Sequence, residues 1–356
     1  MFNRYSVIVR PYLKTLSLQP ENQETPIHFI ENDIVGNHLF YRRNHFPYPT
    51  LPYSNYSIAI NGSVTKPQFV SVQDILQLPS KTIKVVLECS GDKRSFFEPK
   101  TFGEQWGKGA ISQGYWKGVP LKTLLELSGL NAEAQEVVVE GYDFGKRTDL
   151  NNVYPYARSL PLYKALHPDT IIAYEYNNRP ITFKHGYPLR LIVPQWYGMA
   201  SVKWIKQITA IESTFKGPFQ TLDYVYYPNK DDNNRAFPVT KINVNSTIQK
   251  PLDMEILQTG KHFIKGIAWT GEGFIKKVEI STDNGRTWSN TTIESHDKNK
   301  YGWTSWSYEW SVETKGEYTI MTRATDSNHR KQPNNPFWNR KGYGYNAVDK
   351  IKVKIE

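Results

Sequence analysis

The sequence predicts an α+β region dominated by strand and loop, followed by an all-β region with the spacing of an immunoglobulin-like sandwich. Three observations carry this. Twenty-two prolines and 23 glycines are scattered through the 356 residues, which breaks the chain into short elements and leaves few long helices. Up to about Ile211, short apolar runs of strand length alternate with two short helical stretches. Beyond the polar, turn-rich connector PNKDDNNR at Pro228–Arg235, strand-like composition takes over.

At the N-terminus, an apolar cluster around Val7–Val9 is cut by Arg10 and Pro11 and is too short for a signal-peptide core. Arg42-Arg43 is followed by Asn-His-Phe-Pro, not by the apolar stretch a twin-arginine export signal needs. No segment reaches the roughly 20 apolar residues of a membrane span. The expected location is the cytoplasm, with a periplasmic or extracellular one only if an export signal is missing from this chain.

Helices are predicted at Val72–Leu78 and Leu121–Ser128, the second stopping near Gly129. The runs Ile83–Leu87, Glu136–Val139, Ile171–Tyr174 and Leu189–Val193 read as buried strands. In the C-terminal part, His262–Trp269, Lys276–Ser281, Ser305–Val312, Glu317–Ala324 and Val348–Ile355 read as sandwich strands, with a hairpin turn at Asp283-Asn284-Gly285.

Lys and Arg total 44 against 34 Asp and Glu, a formal charge of 44 − 34 = +10. This excess favours an anionic partner: nucleic acid, an acidic protein, a lipid surface, or a small oxyanion with a phosphorylated cofactor. Helix-turn-helix, zinc-finger and Gly-aromatic RNA-binding signatures are absent, which argues against nucleic acid. The single cysteine, Cys89, excludes an intrachain disulfide, a multi-cysteine zinc site, an iron–sulfur cluster and a c-type haem attachment site.

Four segments set polar and basic residues beside Gly or Pro: YRRNHFPYP (Tyr41–Pro49), LECSGDKR (Leu87–Arg94), VEGYD (Val139–Asp143) and HGYPLRLIVPQWYGMASVKW (His185–Trp204). In the second, Cys89 ends a strand at a Ser-Gly-Asp turn beside Lys93 and Arg94, cations that favour a thiolate able to bind a soft metal. A lone cysteine otherwise reads as a small buried hydrophobe. In the fourth, His185, Arg190, the small-residue turn Gly198–Ser201 and Lys203 form a plausible cradle for a phosphate or pterin-like ligand; a strand-turn-strand with solvated charges is the alternative. The guanidiniums of Arg42 and Arg43 suit planar oxyanions, or a plain basic loop.

These motifs, together with WGKGAIS…WKGVPL, SLPLYKALHPD and IIAYEYN, resemble the sulfite oxidase family of molybdenum-cofactor oxidoreductases from about Leu39 to the C-terminus. EISTDNGRTW and PFWNRKGYGYNA in the tail are similar to that family's immunoglobulin-like dimerisation domain. The resemblance implies an N-terminal extension at 1–38, a molybdopterin-binding catalytic domain at 39–225, a linker at 226–245 and a dimerisation domain at 246–356. It implies a Mo-molybdopterin cofactor with Cys89 as the thiolate on molybdenum and no haem in this chain. Tyr41, Arg42, Arg43, Asn44, His45, Asp143, His185, Arg190, Ser201, Val202 and Lys203 would hold the pterin and its phosphate. Arg43 and Arg94 would face the oxyanion substrate, Trp106 would wall the pocket, and Tyr224 would be the active-site tyrosine.

Two departures stand out. The family's Asn-Arg-Arg after the cysteine turn is Asp92-Lys93-Arg94, and its substrate-pocket arginine in the WNxRG motif is Lys341, a point charge instead of a bidentate fork. The implied activity is oxidation of sulfite to sulfate, with electrons passing to a separate acceptor such as a cytochrome c, and the implied assembly is a homodimer. Alternatives are a same-cofactor reductase of a sulfoxide or nitrate, or a non-catalytic basic β-rich binding protein.

Overall fold

The computed structural model of the chain describes residues 11–31, 33–147, 149–293 and 301–356; the Val7–Val9 cluster lies outside them. The N-terminal region is built on two sheets. In the first, Lys81–Glu88 pairs with Ile111–Pro120, which pairs with Ile171–Tyr176; that strand in turn pairs with both Arg179–Pro180 and Arg190–Ile192. The second runs Gln68–Ser71, Ser57–Gly62, Ile205–Ile211, Glu136–Arg147, Asn152–Pro161, antiparallel except where Ser57–Gly62 meets Ile205–Ile211. Val85, Val86 and Leu87 are all fully buried, as a continuous apolar run in a strand covered on both faces should be.

The two predicted helices are present as Val72–Gln77 and Leu121–Leu127. The first is held by a capping box, Ser71 Oγ accepting from the Asp74 N–H while the Asp74 carboxylate accepts from the Ser71 N–H. The second buries Leu121, Leu124 and Leu125, the i, i+3, i+4 face of its sequence.

The C-terminal region is a sandwich of two sheets. One runs Asn245–Lys250, Gly260–Trp269, Thr304–Val312, Thr292–Ile293; the other runs Glu255–Leu257, Asp349–Ile355, Gly316–Asp326, Ile275–Ser281, Ser289–Asn290. Alternation places the inward residues. Ile351, Val353 and Ile355 are buried while Lys350, Lys352 and Lys354 are exposed, and the inward side chains pack with Trp306, Trp310 and Ile320. The Asp283-Asn284-Gly285 turn joins Ile275–Ser281 to Ser289–Asn290, with Asn284 and Gly285 both at positive φ and the Asp283 carboxylate accepting from the Thr287 N–H. Among the described residues, no helix is long and apolar enough to cross a membrane.

Candidate active site

Cys89 ends the strand Lys81–Glu88, its N–H donating to the Ala110 carbonyl at 2.8 Å. The chain then turns: Asp92 N–H closes on the Cys89 carbonyl at 2.8 Å, and Gly91 N–H points at Cys89 Sγ at 3.4 Å. The thiol opens into a narrow cavity of about 50 Å³ in the N-terminal region. Its lining includes Tyr41, Arg42, Arg43, Asn44, His45, Asp143, His185, Arg190, Ser201, Lys203 and Tyr224. Segments more than 150 residues apart in sequence thus meet at one thiol.

The cavity is a site of unbalanced charge. Arg42 and Lys184 both pair with Glu21, at 2.8 and 3.1 Å. Arg43, Arg190 and Lys203 have no ion-pair partner among the described residues, and Asp143 is the one carboxylate on the lining. Lys203 Nζ donates to the Arg43 carbonyl at 3.1 Å and to Asn44 Oδ1; Arg190 Nη1 donates to the His185 carbonyl at 3.1 Å. Burial, with Arg190 adding repulsion, pushes the Lys203 ammonium well down, while burial alone brings Arg190 to about 10 and drives the Asp143 carboxyl up. Cations held this far from bulk water favour an incoming anion.

The same burial, and then nearby guanidiniums, push both imidazoles of the lining well down, which favours their neutral forms. His185 is fixed on both sides: Thr182 Oγ1 lies 2.7 Å from Nδ1, and Nε2 donates to the Phe40 carbonyl at 3.2 Å. It therefore serves as a rigid wall. His45 shares a 2.6 Å hydrogen bond between Nε2 and the Tyr224 hydroxyl and stacks on Tyr156 at 5.2 Å. Gly198 lets the backbone come close to Tyr41: a Cβ there would lie 2.6 Å from the Tyr41 hydroxyl.

Several expectations need correction. The cations near Cys89 do not yield a depressed thiol pKa. Burial pushes it up, and Arg43 and Arg94 only partly offset that. Lys93 points away: its ammonium donates to Asn245 Oδ1 at 2.8 Å and the Ser246 carbonyl at 2.9 Å in the C-terminal sandwich, over the Trp269 ring. Trp106 and Val202 are fully buried in the core and lie off the lining; Val202 contributes backbone, its carbonyl accepting from Leu191 N–H at 2.8 Å. Arg94 also lies off the lining, donating to the carbonyls of Lys341, Gly342 and Glu104 at 3.0 to 3.2 Å while its charge acts on the thiol. Lys341 is drawn off by the Leu222 carbonyl at 2.6 Å and by Asp223 at 3.3 Å. In each case unsatisfied carbonyls or apolar packing decide the direction of a side chain whose neighbours in sequence suggested another.

The structure also adds residues that the motifs did not single out. Phe40, Tyr156 and Lys184 join the lining, which Ser90, Gly198 and Met199 of the motif turns complete. From the chain ahead of Tyr41, Asn22 Oδ1 accepts from the Asn44 N–H at 2.8 Å, and Glu21 anchors Arg42 and Lys184. The densely basic, proline-flanked motifs were the signal for the rest of the site; isolated side chains such as Glu21 carry none.

Residues 45–219 match the oxidoreductase molybdopterin binding domain, and residues 236–356 match the Mo-co oxidoreductase dimerisation domain. The chain is 32% identical to the mitochondrial sulfite oxidase of Drosophila melanogaster over 96% of its own length, and spans 63% of that protein. It is 31% identical to the sulfite oxidase of Arabidopsis thaliana, covering 97% of this chain and 94% of that one. The inducible nitrate reductase [NADH] 2 of Glycine max is 30% identical over 94% of this chain, which covers 41% of it. Among solved structures, the sulfane dehydrogenase SoxCD of Paracoccus pantotrophus shares the fold, with a TM-score of 0.85 over 99% of this chain and 92% of that one at 24% identity. The chain belongs to the sulfite oxidase family of molybdenum-cofactor oxidoreductases.

Proposed function

We propose that the protein oxidises sulfite to sulfate at a Cys89-ligated molybdenum cofactor and passes the electrons to a separate one-electron acceptor such as a cytochrome c. The observation that carries this reading is the cavity in which a lone thiol faces three cations without ion-pair partners among the described residues. The donor set fits the cofactor. Ser90 Oγ, Asp143 Oδ1 and Arg190 Nε are buried on that lining and have no hydrogen-bond partner among the described residues, so a polar ligand would satisfy them. When bound, the cofactor supplies oxo transfer and two-electron redox chemistry.

The chain's own residues do the rest. Cys89 Sγ would hold the metal, giving up its proton on binding, which would remove the cost of burying an unpaired thiolate. Arg190 and Lys203 would hold the cofactor's phosphate, and His185 braces Arg190 through its carbonyl. Arg43 draws the sulfite dianion in, and Arg94 adds positive potential from behind the wall. Tyr224, held by His45, offers a hydroxyl to the oxyanion. Two chains pair through the C-terminal sandwich; the match to a dimerisation domain and the exposed Met254, Ile256 and Phe263 on that part of the chain support this.

The nitrate reductase relatives, at 30 to 31% identity, favour nitrate as the second substrate to test. Purified protein carrying molybdenum is assayed with sulfite plus ferricyanide or cytochrome c, and with nitrate plus a reduced dye. The reading expects sulfite turnover and a sulfite-dependent change in the thiolate-to-metal absorption band. Nitrate turnover without sulfite turnover reverses the assignment, and molybdenum-free protein from cells that make the cofactor refutes both.

A further inference from the structure

Arg158 is an anomalous buried charge. It is 1% exposed, has no ion-pair partner among the described residues, and its Nε and Nη2 have no hydrogen-bond partner there. Nη1 alone is engaged, with the Phe219 carbonyl. A buried guanidinium left this incomplete is costly, so its place in the fold requires a reason.

That reason is visible in its neighbours. The strand Asn152–Pro161 presents Tyr156 and Arg158 on one face, two residues apart. Tyr156 stacks on His45, and the Arg158 guanidinium lies 5.3 Å from the Tyr224 ring centroid. Both members of the His45–Tyr224 hydrogen bond are thus backed by one strand. On the far side, Tyr224 packs on Tyr343 at 5.4 Å, and Arg94 caps Tyr343 at 5.0 Å. Two tyrosine rings are held between two buried guanidiniums, an arrangement that cation–π attraction favours strongly away from water. The π-helical turn Phe219–Asp223 that delivers Tyr224 is held at its start by Arg158, and at its end by the pairing of Arg147 with Asp223.

We propose that Arg158 is a positioning residue for Tyr224, setting the ring and hydroxyl of this residue against the substrate side of the cavity through its contacts with the ring and the Phe219 carbonyl. This rests on the sulfite-oxidising reading above, in which Tyr224 meets the oxyanion.

The test is a double-mutant cycle on the molybdenum-loaded protein, using Arg158→Gln, Tyr224→Phe and the combination, with Arg158→Lys as the conservative variant. Thermal midpoint and molybdenum content are measured for each. Arg158→Gln should lower kcat for sulfite by about 10- to 100-fold, the range a small misplacement produces, with a much smaller change in KM. In the Tyr224→Phe background the same change should have an effect of less than about threefold, because coupled residues do not add. Arg158→Lys, which keeps the charge over the ring, should recover much of the loss. An equal loss in both backgrounds overturns the proposal. If Arg158→Gln does not fold, Arg158→Lys carries the cycle, and its smaller loss must likewise vanish beside Tyr224→Phe. Failure of the functional reading shows separately, in a wild type inert to sulfite; the cycle is then run on nitrate with a reduced dye. A wild type inert to both overturns the reading and this inference together.

Discussion

Replacing Lys93 by Met measures how firmly the catalytic region is tied to the sandwich. The Lys93 side chain is 1% exposed and crosses between them, donating to Asn245 Oδ1 at 2.8 Å and the Ser246 carbonyl at 2.9 Å. Methionine retains most of the stem's packing and removes the ammonium. Two hydrogen bonds from a charged donor contribute about 3–6 kcal/mol together, and release from desolvation returns part of this, leaving a net loss of about 2–4 kcal/mol. Asp92 and Asp349 also lose a cation that favours their charged forms. For domains of roughly 150–250 residues each kcal/mol moves the midpoint by about 2–4 °C. At 356 residues, the low end of that range applies, giving a drop of about 4–8 °C. Differential scanning calorimetry of wild type and Lys93→Met at equal molybdenum content is the assay. An unchanged or higher midpoint refutes the reasoning, because it would mean that the buried cation costs as much as its contacts return.

Three further outcomes are expected. Cys89→Ser should fold with a thermal midpoint near wild type yet lose at least about 100-fold in sulfite turnover, as removal of a soft ligand demands; near-normal turnover would sink the thiolate assignment. Gly198→Ala places a methyl 2.6 Å from the Tyr41 hydroxyl. The overpacking should cost about 1–3 kcal/mol and lower molybdenum content by elemental analysis, and full occupancy with an unchanged midpoint would refute it. Glu279 is the pH test. Burial would raise its carboxyl, but hydrogen bonds from Arg323, Lys277 and Lys331 outweigh this and bring it from an ordinary 4.5 to about 2. A depressed carboxyl contributes stability above its unfolded value and loses it as pH falls through the folded one, so the loss belongs between about pH 4.5 and 2. Urea midpoints across that range should fall less steeply for Glu279→Gln than for wild type; parallel curves would remove Glu279 from the acid response.

The sandwich was legible because its signal is local. Alternation along Asp349–Ile355 states which side chains turn inward before any partner strand is known. The cavity was legible in part for a similar reason: Tyr41–His45, Cys89 and His185–Lys203 lie in compact motifs whose neighbours reveal their chemistry. The directions of Arg94 and Lys341 were not legible, since the carbonyls that capture them come from Gly342, Glu104 and Leu222.

By itself, then, the sequence determined the fold class, the order of the two regions and most of the residues around Cys89. Tertiary structure alone decided the balance of charge there. Whether cations near a thiol outweigh its burial, whether Lys93 faces the cavity or the sandwich, and why Arg158 stands unpaired behind Tyr224 depend on sums over groups far apart in the chain. Desolvation and Coulomb interaction act through space, so no local pattern records their result.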